Sequence, residues 1–329
     1  MKKTWLSMAA LALIVAGCSS TEDNLPVDLT DTPIKVNATV NPIAASLALR
    51  GGDAKGDNTG ENTGDNGGRT VSDIAQFNLK ITNPNNNDYS YEVVMKPSLG
   101  NVSWLAYDTQ NNVKQMLWQN SDTKVSVKAS TFAISTEAVT LAAKANQSDA
   151  DDAGFKASDH LMWDNAEQEP LEAGINVEFG HIMAKLNIDV TLGNEYNLTV
   201  NPIESVVIGG TKIEGSFHRT TGWTVADATA ATEVKAHNTG AWTTGDAPTA
   251  KYEAILVPQT LKAGSFSVTF TITVDGNSKD YTWNYPGADK EMEQGKCYTL
   301  TLKAGKDKVE GVSLTPTAWT NNDGNLATD

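Results

Sequence analysis

The chain has 329 residues, 40% hydrophobic and 20% charged, which is material for about two separate cores. Forty acids against 25 bases give a formal charge of −15, a balance that repels phosphate backbones and excludes nucleic acid as a partner. Four histidines and two cysteines leave little for metal or thiol chemistry, and no G-x-S-x-G, H-E-x-x-H, P-loop or Rossmann glycine pattern occurs, so no catalysis, metal or cofactor is expected.

Lys2 and Lys3 precede a short apolar stretch at residues 6–15, followed by Val15-Ala16-Gly17-Cys18. The stretch is too short to span a bilayer and reads as an export signal. An apolar residue, two small residues and a cysteine resemble the lipobox of bacterial lipoproteins. That resemblance implies cleavage between Gly17 and Cys18 and lipidation of the Cys18 sulfur, an anchor and not a transmembrane helix. Loss of residues 1–17 removes two lysines and no acids, taking the charge from −15 to −17. Cys297 is then the only other cysteine, so no intrachain disulfide forms; at the start of a strand pattern it reads as a small packed hydrophobe.

Beyond Cys18 a polar tether leads to Ile34-Lys35-Val36-Asn37-Ala38-Thr39-Val40, whose alternation predicts a strand. Residues 53–68 then repeat acid-x-x-Gly four times, a flexible loop by composition, since Ala54 is its one apolar residue and cannot offset its ordering entropy. Its spacing fits neither the D-x-[DN]-x-[DN]-G calcium loop nor the repeat-in-toxin nonapeptide. Arg50 and Arg69 flank the loop, and an arginine beside a glycine-rich loop is an accessible target for a trypsin-like protease. Arg50, which ends the apolar strand region, is the favoured of the two.

From residue 70 onward short alternating runs recur between turn residues. Phe77, Leu79 and Ile81 form one, residues 89–95 and 124–129 two more, and residues 139–145 a short strand or helical turn; residues 146–159 read as a polar loop. Ile175, Val177 and Phe179 alternate, and the phase then shifts to Ile182, Ala184, Leu186, Ile188 and Val190, which predicts a β-bulge near Gly180-His181. Phe266, Val268, Phe270, Ile272 and Val274 alternate with Ser and Thr up to the hairpin signal Asp275-Gly276-Asn277, and Tyr281, Trp283 and Tyr285 return. Repeated short strands with one wet face and no long helix predict an all-β chain of antiparallel sandwiches.

Four segments carry a family resemblance: Ser158-Asp159-His160-Leu161-Met162; Val177-Glu178-Phe179-Gly180-His181-Ile182-Met183-Ala184-Lys185-Leu186; Ile255-Leu256-Val257-Pro258-Gln259; and Gly295-Lys296-Cys297-Tyr298-Thr299-Leu300-Thr301-Leu302 with the late Ala318-Trp319. In this order behind a lipobox, over residues 70–320, they resemble the fimbrillin family of Bacteroidales, lipoprotein subunits of type V pili on the outer membrane. The resemblance implies two tandem transthyretin-like (Ig-like) β-sandwich domains. It also implies removal of the N-terminal strand by an arginine-specific protease and filling of the groove by a strand of another fimbrial subunit. The resulting division is a signal at 1–17, a tether with the removable strand at 18–50, a loop at 51–69, an N-terminal domain at 70–173 and a C-terminal domain at 174–329. The tail after Trp319 has almost no apolar alternation and would make a poor donor strand, which leaves stalk, anchor and tip positions, and a surface protein of the same fold, all open.

His181 has no Ser, Cys or carboxylate at motif spacing and reads as structural, and Asp159-His160 with Asp164 falls short of a zinc ligand set. Trp223 and Trp242, which bracket an Ala/Thr-rich stretch, are the candidates for contact with a glycan or partner. A monomeric glycan-binding lipoprotein is the alternative to a fimbrial subunit or adhesin, and a surface glycosidase, needing two converging carboxylates, comes third.

Overall fold

The computed structural model describes residues 27–40, 69–98, 103–149, 152–305 and 309–319, and strands dominate it. The first sheet has seven strands, in the spatial order Val36–Val40, Ile175–His181, Leu161–Gln168, Val125–Ser130, Phe77–Thr82, Tyr91–Pro97 and Trp104–Tyr107. Their inward positions build one cluster around Phe77, Leu79, Ile81, Trp118, Val127, Val177 and Phe179. Phe77 holds it together by edge-on contacts to Phe179 and Trp104, at ring separations of 5.1 and 4.8 Å.

The second half is a two-sheet sandwich. A five-stranded sheet runs His237–Thr243, Thr249–Leu256, Ala184–Leu192, Lys296–Ala304 and Val309–Ala318. Facing it is a four-stranded sheet of Val234–Lys235, Ile203–Gly209, Ser267–Val274 and Asn277–Asn284. Leu186, Ile188, Val190, Leu300 and Leu302 meet Val206, Ile208, Val268, Phe270 and Trp283 between them. The hairpin signal is realised: Asp275 and Gly276 take φ of 51° and 77°, joining Val274 to its partner Asn277. Cys297 is fully buried, and desolvation pushes its thiol up to about 11, which fits a packed hydrophobe.

The structure departs from the sequence pattern in four places. The phase change at Gly180-His181 is a change of sheet and not a bulge: Ile175–His181 ends in the first sheet and Ala184–Leu192 begins in the second. A run that turns its other face inward gives the same pattern either way. For the same reason Ile175–His181, expected to open a domain at 174–329, supplies Ile175, Val177 and Phe179 to the core of the preceding unit. The polar loop at 146–159 contains a helical turn, Ala153–Ser158, which buries Phe155. Among the described residues two strand pairs are parallel where antiparallel pairing was expected, Val36–Val40 with Ile175–His181 and Ala184–Leu192 with Lys296–Ala304, and the other strand pairs are antiparallel.

The halves are joined by a third sheet. Val139–Ala142 comes from the first half of the chain and pairs with Glu214–His218, which pairs in turn with Gly222–Thr224. Buried Gln147 fastens the same region, its amide oxygen accepting from Ile255 N and its amide nitrogen donating to Ile255 O, both at 2.8 Å.

Candidate functional site: an N-terminal clasp and its anchor

Residues 27–40 form a clasp across the first sheet. Upstream, the chain runs beside residues 116–118: Asp31 N donates to Trp118 O, Trp118 N to Thr32 O, and Ile34 N to Met116 O, each at 2.9 Å. It then crosses to the sheet edge, where Val36–Val40 pairs with Ile175 through Phe179 in parallel register. Leu29, Ile34, Val36 and Val40 are buried in the first cluster, and Val40 is wholly inaccessible. Asn37 and Thr39 face solvent, so the alternation read in the sequence matches the pleat.

Gly174 shapes the crossing. Its φ is +90°, and a Cβ there would stand 2.4 Å from Lys35 O, so only glycine admits the clasp backbone. Beside the clasp lies a groove of about 400 Å³, walled by Pro33, Ile34, Trp104, Leu105, Val113 and Met116. Leu105 and Val113 are exposed there.

Just after the glycine-rich repeat, Arg69 N donates to Asp159 Oδ2 at 2.8 Å. Asp159 is fully buried, and its Oδ1 lies 2.9 Å from His181 Nδ1. His181 stacks on Trp319 at a ring separation of 3.9 Å and an angle of 6°. The structure thus gives His181 a carboxylate partner 22 residues away, which sequence spacing did not reveal. His160 turns elsewhere, its Nε2 3.1 Å from Ala142 O, and burial holds its imidazole below the usual range.

Asp164 meets buried Arg219, which also donates to Ala129 O at 3.1 Å and Ser130 Oγ at 2.7 Å. Burial raises the Asp164 carboxyl, against the opposing pull of Arg219. This pair ties the turn after Glu214–His218 to the first sheet.

The two tryptophans singled out for partner contact do not share a surface. Trp223 is half-buried, donates its indole N–H to Ile182 O at 2.7 Å, and packs on Phe217. Trp242 is also half-buried, packs on the second cluster and donates to Leu198 O at 3.1 Å, next to exposed Leu198 and Val200. Gly17, Cys18 and Arg50 lie outside the described residues. Among the described residues no helix is long and apolar enough to cross a membrane, and no group of three or more His, Cys, Asp or Glu is placed to hold a metal ion.

The family model described as fimbrillin-like matches residues 64–319. None of the curated proteins matches the chain. Among solved structures, a candidate cell adhesion protein from Bacteroides ovatus is similar, with 15% identity, a TM-score of 0.57, and coverage of 89% of this chain and 100% of that one. Another candidate cell adhesion protein, from Bacteroides uniformis, has 17% identity, a TM-score of 0.50, and coverage of 75% and 92%. The tip fimbrial protein Mfa3 from Porphyromonas gingivalis, truncated at its C-terminus, has 11% identity, a TM-score of 0.43, and coverage of 75% and 94%.

Proposed function

We infer the role of this protein from one premise: the chain belongs to the fimbrillin-like family, with residues 64–319 matching its model. It is a fimbrial subunit of the cell surface, a structural protein and not an enzyme. Its finer mechanism, in this reading, is strand complementation. Cys18 carries the lipid that brings the chain to the outer membrane, a protease cuts after an arginine beside the glycine-rich loop, the clasp leaves, and a strand of another subunit takes its place.

The observation that carries this reading is the clasp itself. Among the described residues Val36–Val40 is an edge strand paired with one other strand, so departure of the clasp breaks that ladder and the bonds to residues 116–118 and leaves the rest of the sheet paired. What it uncovers is apolar and specific: a row of backbone donors and acceptors along Ile175 to Phe179, and the sites of Val36, Ala38 and Val40. Strand addition satisfies both needs at once, with the ladder giving affinity and alternate side chains giving selectivity. The incoming strand therefore needs apolar side chains at every second position, with a small one at the position of Ala38.

Mass spectrometry of the N-terminus of the protein taken from its native cell surface tests this. The reading expects a chain that begins within residues 51–70. A surface chain that still begins at lipidated Cys18 would remove the cleavage step.

A further inference from the structure

Both arginines beside the loop satisfy a trypsin-like protease by residue type, but the surroundings of Arg69 are those of an anchor. Its amide is held by the buried Asp159 carboxylate. On the other side of the bond, Thr70 N and Thr70 Oγ1 both donate to Asp73 Oδ2, at 2.9 and 2.7 Å, and Asp73 N returns a bond to Thr70 O at 3.0 Å. Asp73 Oδ1 meets Lys156 Nζ at 2.9 Å, and Ile74 is buried one residue on. An endoprotease draws its substrate out as an extended segment on both sides of the scissile bond. Here that requires breaking a charge-assisted bond to Asp159, unwinding the turn at Val71–Asp73 and lifting Ile74 from the core.

We propose that Asp159 is a specificity-determining clamp: by holding the Arg69 amide it shields the Arg69–Thr70 bond and confines arginine-directed processing to the chain upstream of residue 69. The inference rests on the processing reading above and adds the residue that sets its boundary. His181 holds the carboxylate by its other oxygen and is itself stacked on Trp319, so the clamp is fixed from two sides. The segment after the cut stays joined to the sheet at a defined point, and only the clasp leaves.

The test is limited digestion of the full chain with an arginine-specific endoprotease, with masses of the fragments read over time. The native protein is expected to yield a fragment beginning at Gly51 and none beginning at Thr70. In Asp159→Asn, the loss of a charge-assisted bond should speed the cut after Arg69 by about tenfold or more. Asp73→Ala loosens the far side of the bond without touching the buried node, and should also speed that cut while thermal unfolding elsewhere is unchanged. A cut after Arg69 in the native chain as fast as in both variants would overturn the clamp, and so would variants in which the bond stays closed. If the native chain is not cut after Arg50 either, the processing reading fails, while the two variants still decide the clamp.

Discussion

Replacing Val40 by alanine measures what the clasp contributes to the first core. The side chain has no accessible surface, and it is one of four buried apolar residues by which residues 27–40 are held. Two buried carbons are lost, at about 0.8 kcal/mol each for transfer. The unfilled space adds up to about another 1 kcal/mol, because an edge strand closes such a gap only in part. The expected cost is therefore about 2–3 kcal/mol, and for a unit of this size a midpoint lower by about 4–12 °C. Thr39→Ala, on the exposed face of the same strand, should cost less than about 0.5 kcal/mol. Thermal unfolding followed by tryptophan fluorescence is a suitable assay, since Trp118 is buried in the same cluster. Because the chain has more than one core, the comparison is between midpoints of the transition that Trp118 reports, not between global free energies. Equal midpoints for the two variants would mean that the clasp lies on the sheet without holding it, and the complementation argument would lose its energetic basis.

Gly174→Ala should push the clasp off its track, because its Cβ would meet Lys35 O; the measurable result is faster amide exchange at Val36–Val40, with little change in the second sandwich. Glu253→Gln leaves buried Lys185 without its 2.5 Å ion partner and should destabilise by about 3 kcal/mol or more, whereas the double change Lys185→Met with Glu253→Leu should recover most of the loss in a thermal double-mutant cycle. Cys297 should resist alkylation in the native protein at pH 8 and react in denaturant. Its folded thiol is raised from 9.0 to about 11, so the stability it contributes is complete below pH 9 and is lost as pH rises through about 11, a slope that Cys297→Ala should abolish.

The sequence made the second sandwich legible where one strand meets its neighbour locally. Phe266 to Val274 alternates without a break, Asp275-Gly276 needs a left-handed turn, and the structure pairs the two arms in that register. The clasp strand could likewise be read, though not its parallel pairing with Ile175 to Phe179, since alternation carries no information on strand direction. What failed was non-local. The phase break at His181 looks the same for a bulge and for a chain leaving one sheet for another. Val139–Ala142 finds its partner in Glu214–His218, and no pattern within either segment announces it. The helical turn at Ala153–Ser158 is too short for a helical period to emerge. The anchor was hidden for a similar reason: Arg69, Asp159, His181 and Trp319 come from four distant stretches, and only the fold brings them into one node.

Strand exchange is tested most directly by locking the clasp in place. Asn37 and Asn176 are partners in register on the exposed face, with Asn37 Nδ2 donating to Asn176 Oδ1 at 3.1 Å, so Asn37→Cys with Asn176→Cys sets two thiols side by side across the clasp ladder. The doubly substituted chain, expressed in its native host, is compared with the unsubstituted chain for detergent- and heat-resistant oligomers, before and after reduction. The account predicts that the oxidised chain stays out of the oligomers and that reduction restores assembly. Oligomers formed equally well with the disulfide closed would contradict it.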